Sequence, residues 1–237
     1  MISLATIIPI GEKAEKESEL LKETIREYFI EKYKAWDEIF ILHKGATTKR
    51  FRELFGSPDE YSFHPPYSYI SGFPAYSGEK IAYELSLNEK IRKDLEERIK
   101  NELKLNEARI SQIYLLDAKI EEGPSLGESY FTWKDRKFVE IKHYGFELAS
   151  LYWIEDLDRN SQEDFIRYIF GVHEPGHIHI GTASHFIDTP YGMHCEDENC
   201  IMSKPVSTMH GSVEKIRRIK SQNPDLFCKK CLEEIKL

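Results

Sequence analysis

Between Val172 and Cys200 the chain reads VHEPGHIHIGTASHFIDTPYGMHCEDENC. The stretch opens on His173-Glu174-Pro175-Gly176-His177, two imidazoles four residues apart with a carboxylate beside the first. On a helix, residues four apart share a face, so His173 and His177 can offer two nitrogens to one zinc ion. Glu174 lies one step round the helix and can reach a water on that zinc, where a carboxylate serves as general base while the water attacks a carbonyl. A bare HExxH recurs by chance, and its weight here comes from the histidines and cysteines downstream. His179, His185 and His194 lie close behind, and then Cys195-x4-Cys200, Met202 and a closing Cys228-x2-Cys231. Four thiolates in two spaced pairs are the donor set of a closed tetrahedral zinc site. The blander alternatives are a kinked core helix with surface histidines, four free thiols and a core methionine.

The combination of HExxH, His-Cys-x4-Cys-x-Met and CxxC resembles the archaemetzincins, a family of metzincin-type zinc peptidases. The likeness is close only over the stretch that carries these motifs. It implies an α/β, metzincin-like fold, a mixed sheet with long helices including the active-site helix, plus a small C-terminal zinc-bound lobe. It also implies two Zn2+ ions, one catalytic and one structural. In the family the helix carries two His ligands and the Glu, a glycine turns the chain, and a third His completes the site. A Met beneath the zinc forms the Met-turn, and four Cys bind the second zinc. Carried onto this sequence, His173 and His177 are ligands, Glu174 is catalytic and Met202 is the Met-turn residue. Cys195, Cys200, Cys228 and Cys231 make the structural site.

The third ligand departs from the pattern. The positions where the family has its glycine and third His hold Ile180 and Ala183, and Gly181 is the turn glycine one place late. His185 is near in sequence and needs a short bulge. His194 keeps the His-Cys dyad and every spacing to Met202, and one insertion around 182–193 accounts for it. His194 is favoured, and the imidazole left over takes an outer or substrate-contacting place.

These residues need elements to position them. Pro175 would remove a bond to Gly171 inside a helix, which predicts two helical pieces, Ser161–Phe170 and His173–Ile180, with a kink near Gly171; in a first turn a proline is harmless. Ser161-x-x-Asp164 reads as the capped start of that helix, with Phe165, Ile169 and Val172 inward. Upstream, Ile2–Ile10 reads as a buried strand, Glu15–Trp36 as a helix and Glu38–Leu42 as a parallel strand, a βαβ unit. No Gly-rich loop joins the first strand to its helix, which argues against a nucleotide site. The Pro- and aromatic-rich stretch 45–78 reads as an irregular cover, or as an ordered loop lining a cleft. Ser86–Leu105 is a surface helix with Ile91, Leu95, Ile99 and Leu103 as its apolar stripe. Ile110–Ile120 is a strand, and Tyr130–Trp133 with Lys137–Lys142 form a hairpin whose edge, by the family resemblance, can pair with an extended peptide. Phe146–Trp153 is apolar without a clear period. Ser212–Lys220 is a basic helix, and Glu196 to Glu198 a solvated acidic loop. The division expected is 1–181, ending in the active-site helix, and 182–237, with the four-cysteine site.

Hydrophobic residues make up 41% and charged residues 31% of the chain, the balance of a globular protein. The net charge of -8 with dispersed Lys and Arg argues against a nucleic-acid partner. No apolar run is long enough for a membrane span, and the N-terminus lacks the features of a signal peptide. A cytoplasmic monomer is the expectation, with thiols kept reduced for metal in preference to disulfides. The function expected is a zinc-dependent metallopeptidase that hydrolyses peptide bonds of a peptide or protein substrate through a zinc-bound water activated by Glu174. The alternative is a zinc-stabilised binding module with a non-catalytic or repurposed metzincin site; hydrolysis of a non-peptide amide is a third option.

Overall fold

The computed structural model describes residues 2–56, 75–77, 81, 84–85, 88–121, 128–134, 137–180, 185–189, 192–206 and 208–235. In chain order its strands are β1 (Ile2–Ile10), β2 (Glu38–Ile41), β3 (Ala75–Ser77), β4 (Ala108–Leu116), β5 (Lys119–Glu121), β6 (Glu128–Lys134), β7 (Lys137–Ser150), β8 (Phe186–Thr189) and β9 (Gly192–Cys195). The α-helices are α1 (Glu12–Ile25), α2 (Ala46–Phe55), α3 (Glu89–Leu103), α4 (Arg159–Phe165), α5 (Glu174–Ile180), α6 (Met209–Gln222) and α7 (Lys229–Ile235).

The main sheet has the order β2-β1-β4-β7-β6. Its first four strands are parallel, and β6 returns antiparallel along the edge of β7. The apolar run of β1 is explained by its place: it pairs on both sides and is covered on both faces. The two-residue period of the strands sorts their side chains. Ala5, Ile7, Ile113, Leu115 and Ala149 face α1, the helical stretch after Arg159 and the C-terminal segment. Leu4, Ile8, Ile10, Ile110, Tyr114, Leu116 and Leu148 face α2 and α3, where Phe51, Phe55, Leu95 and Ile99 meet them.

Several expected elements change their bounds. The βαβ unit forms with parallel strands, but its helix starts at Glu12 and closes in wider π turns, Arg26–Lys32, before Trp36. The start of the stretch expected to be irregular is helix α2, because Phe51 and Phe55, four apart, both reach the core; residues 57–74 lie outside the described set. The helix expected at Ser86 begins after Asn88, whose side chain accepts the Ile91 N–H. The strand expected over 110–120 divides at Asp117, and β5 leaves the main sheet to pair with β3. The hairpin forms with a longer second strand. β7 takes in Phe146 to Ser150, and Leu151–Ile154 is a 3-10 turn.

Beyond residue 185 the chain adds its apolar residues to the cluster already built on the sheet. Phe186, Ile201, Met202, Val213, Ile216, Ile219, Phe227 and Ile235 join Ile7 and Ala149 there. The expected boundary at 181/182 falls in 181–184, outside the described residues. No helix among the described residues is long and apolar enough to cross a membrane.

Candidate metal centres

The helical stretch that carries the histidines begins earlier than Ser161. Asp158 is its cap: Oδ1 accepts the Ser161 N–H at 3.1 Å and Oδ2 the Ser161 hydroxyl at 2.6 Å. The stretch runs as α4, then π turns over Ile166–His173, then α5. This sequence of turns accommodates Pro175. The α-helical pattern restarts at Glu174, whose N–H donates to the Ile169 carbonyl five residues back, so the proline follows directly on the wide turns. The wide turns begin at Ile166, upstream of the kink expected near Gly171. Gly171 is still needed in them, because a Cβ there would stand 2.9 Å from Thr24 Cγ2 of α1.

Three imidazoles converge beside α5. His173 Nδ1 lies 2.7 Å from the Ile201 carbonyl. A carbonyl only accepts, so Nδ1 carries the proton and Nε2 keeps its lone pair. His173 Nε2 and His177 Nε2 are 3.3 Å apart. Two nitrogens bound tetrahedrally to one zinc at 2.0–2.1 Å would stand about 3.3 Å apart. His194, carried in by β9, has a ring nitrogen within 4.8 Å of both. Its Nδ1 lies 3.3 Å from Thr189 Oγ1 across the β8–β9 pair. Burial first, and then the neighbouring His194, push His173 down to about 3; burial and the other two rings push His177 well below its ordinary value. Both rings are thereby neutral near pH 7, the form that ligates a metal. Glu174 is 0% exposed, with Oε1 3.7 Å from His173 Nε2, on the lone-pair side of that ring. The donors therefore fit a zinc ion, and the carboxylate stands beside the place it would take.

Met202 runs under this helix, fully buried. Gly176 makes room for it: a Cβ at 176 would overlap Met202 Sδ and stand 3.3 Å from Phe227 Cε1. The reading of the motif as HExxH passed over this second x, although a glycine between two ligands was the visible signal.

A second group brings Cys195, Cys228 and Cys231 together with His185, and Cys200 adjoins it through Cys231. Cys195 Sγ is 3.7 Å from Cys228 Sγ, and Cys200 Sγ is 3.6 Å from Cys231 Sγ. A disulfide needs about 2.05 Å, whereas the edge of a tetrahedral zinc–thiolate site, with Zn–S near 2.3 Å, is about 3.8 Å. The Cys228 N–H points at Cys200 Sγ at 3.2 Å and the Asp197 N–H at Cys195 Sγ at 3.5 Å, donors that suit thiolates. Hydrogen bonds from Cys200 and Cys231 hold the Cys195 thiol far below its usual range. His185 comes here, away from the three imidazoles: its Nε2 is 3.2 Å from Cys231 Sγ and groups with Cys195 and Cys228 as well. Glu196, Asp197 and Glu198 are exposed, as an acidic loop in solvent should be.

One further carboxyl was missed. Glu147 of β7 lies 0% exposed in the sheet and acts on Glu174. Its signal in the sequence was a lone acid inside the apolar run Phe146–Leu151.

No protein-family model and no curated protein sequence matches the chain. Among solved structures, a zinc-dependent peptidase from Methanocorpusculum labreanum is similar over 98% of this chain and 99% of its own, at 13% identity and a TM-score of 0.51. An archaemetzincin from Methanopyrus kandleri aligns over 99% of this chain and 94% of its own, at 13% identity and a TM-score of 0.49. At this identity the likeness to the zinc-dependent peptidase is one of fold, and the mixed α/β arrangement expected from the sequence is the one the chain adopts.

Proposed function

We propose that the chain is a zinc-dependent metallopeptidase that hydrolyses peptide bonds in peptide or protein substrates. The observation that carries this is the meeting of His173, His177 and His194 around one point, with the Glu174 carboxylate beside it. Zinc held there would supply a Lewis acid for the scissile carbonyl and for a water. Glu174 takes the proton of the attacking water and passes it to the departing amine. Ile201, through its carbonyl, keeps His173 in the tautomer that presents Nε2. Met202 gives the site an apolar floor. Cys195, Cys200, Cys228 and Cys231 hold a second, structural zinc, with the His185 N–H directed at the Cys231 thiolate. Such a thiolate set calls for the reducing conditions of the cytoplasm.

A second reading rests on burial. His173 is 2%, His194 3% and Glu174 0% exposed, which suits a zinc-stabilised binding module in which the former catalytic site is closed. One experiment separates the two. Zinc per chain is measured for wild type, His194→Ala and His185→Ala, and hydrolysis of an internally quenched peptide library for wild type and Glu174→Gln. The peptidase reading expects about two zinc ions in wild type, about one in His194→Ala, two in His185→Ala, and turnover lost only in Glu174→Gln. One zinc in all three proteins, or full activity in zinc-loaded Glu174→Gln, would overturn it.

A further inference from the structure

The C-terminal segment brings five metal donors to a centre that needs four. A ring nitrogen of His185 and the sulfurs of Cys195, Cys228 and Cys231 all lie within 4.8 Å of one another. Cys200 adjoins them, with its Sγ 3.6 Å from Cys231 Sγ and a hydrogen bond to Cys195. Tetrahedral zinc takes four ligands, and the edges of its shell are about 3.8 Å between two sulfurs and about 3.6 Å between a sulfur and an imidazole nitrogen. Cys195 and Cys228 are 3.7 Å apart, and His185 Nε2 is 3.2 Å from Cys231 Sγ. Either His185 or Cys200 can therefore complete a set with the other three. A hydrogen bond to Cys231 accounts for one contact of His185. It does not account for a ring nitrogen within reach of Cys195 and Cys228 as well.

The two candidates for the fourth place come from different sides. Cys200 is 0% exposed within the cluster built on the sheet, and the Cys228 N–H donates to its sulfur at 3.2 Å. His185 is half-buried and lines an open surface cleft of about 410 Å3. Its ring stands edge-on to Phe186, with 5.0 Å between centroids, and Phe186 is anchored in the core. The imidazole is thus held at the rim of the centre. Glu196, Glu233 and Glu234 line the same cleft against one ammonium, that of Lys230, an excess of negative charge that draws a divalent cation.

We infer that the thiolate centre has an interchangeable fourth ligand: Cys195, Cys228 and Cys231 hold the zinc together with Cys200 from the interior or with His185 from the cleft. The inference rests on the reading of these cysteines as a zinc site. Zinc has no geometric preference from its d electrons and accepts sulfur or nitrogen. His185 can use Nε2 in both arrangements, as N–H donor to the Cys231 thiolate or, with its one proton moved to Nδ1 through solvent, as lone-pair donor to the metal. The exchange opens the centre to the cleft, where metal is taken up and withdrawn, whereas four thiolates alone would close it.

The test uses the full chain as wild type, Cys200→Ser, His185→Ala and the double variant, loaded with zinc or with Co2+ as a spectroscopic probe. Wild type and both single variants should hold about two zinc ions, and the double variant about one. Co2+-loaded Cys200→Ser should keep the charge-transfer absorption of thiolate ligands, with its visible bands moved to shorter wavelength as a nitrogen replaces one sulfur. Adding His185→Ala should abolish both features. A second measurement leaves the core untouched. A chromogenic chelator withdraws zinc from His194→Ala, which reads the thiolate centre alone, and from His194→Ala/His185→Ala. With the cleft-side donor gone, withdrawal should be several-fold slower. A histidine that only steadies the Cys231 thiolate predicts the opposite, a faster loss. Loss of the second zinc in a folded Cys200→Ser, a Co2+ spectrum of Cys200→Ser indifferent to His185→Ala, or withdrawal that is unchanged or faster without His185 would each overturn the inference and leave a four-cysteine site standing. Co2+-loaded wild type without a thiolate charge-transfer band would instead remove the site itself, and the inference with it.

Discussion

At the scale of single residues, Gly176 makes the sharpest claim. Met202 passes so close beneath it that the alanine Cβ has no space, and Phe227 closes the other side at 3.3 Å. Met202 is fully buried and cannot swing into solvent. Gly176→Ala should therefore cost about 1–3 kcal/mol in urea unfolding of the metal-free protein, although alanine is the better helix former. A variant as stable as wild type would mean that Met202 yields and is no fixed floor. The donor residues themselves were legible: His173, Glu174, His177 and the four cysteines announce their chemistry by type and spacing. The spacing to Met202 also favoured His194 beside His173 and His177, where the structure has it, but the place of His185 among the cysteines was not legible. No local propensity records that His185, just before β8, lies against Cys231 while β9 turns His194 toward His173. Glu147 was illegible for another reason. A lone acid in an apolar run could belong to a loop or to a strand's solvent side until the pairing with Ile113 fixed its face.

At the scale of elements, the packing of α1 against the helical stretch of His173 sets where the histidines arrive. The contact closes at Gly171, whose absent side chain admits Thr24 Cγ2, and Thr24 is 1% exposed with a β-branched side chain that has little freedom to move. Gly171→Ala should destabilise the protein by about 1–3 kcal/mol, and Thr24→Ser should return part of that loss in the double variant, because the two changes meet at one contact. Losses that simply add would show that the helices do not lock there. This junction was half visible in advance. Pro175 demanded relief, and the expectation put a kink at Gly171. The chain instead widens its turns from Ile166 onward, a solution that depends on α1 lying alongside and that the proline alone could not announce. Strands β1, β2 and β4 of the parallel core were read from their apolar runs, whereas the part of β7 that pairs with β4, Phe146–Ser150, was left untyped because its run is short and holds a glutamate. Helix α2 was overlooked because the prolines beyond residue 57 dominated the reading of a stretch whose first ten residues contain none.

At the scale of the whole molecule, hydrogen bonds tie the C-terminal segment to the helices that pack on the sheet, and the imidazoles buried beneath it resist protonation. The His173 N–H binds the Ile201 carbonyl, the Ile201 N–H binds the Leu226 carbonyl at 2.7 Å, and the Tyr33 hydroxyl donates to the Asp225 carbonyl at 2.5 Å. Protonating His173 or His177 means charging a ring in a dry interior beside two others. The unfolded chain accepts those protons near pH 6.5, whereas folded His173 resists to about 3 and His177 also titrates well below its ordinary value. A depressed folded value gives stability that is complete above the unfolded value and drains away as pH falls below it. Each such histidine then contributes a slope of up to about 1.4 kcal/mol per pH unit as the pH drops below 6.5. Glu147 has the opposite sign: its raised value favours the fold in acid and weakens it as pH rises through the carboxylate range. Urea unfolding of the metal-free protein at steps from pH 7.5 to 5 should therefore show falling stability below pH 6.5. His177→Asn should lower that slope, and Glu147→Leu should gain more over wild type at pH 7.5 than at pH 5. With zinc bound, protons must also displace the metal, so the loss should coincide with zinc release read by a chromogenic chelator. A metal-free profile flat between pH 7.5 and 5, identical in His177→Asn, would mean that the three rings are not buried together and that the segment is held to the sheet by its apolar residues alone.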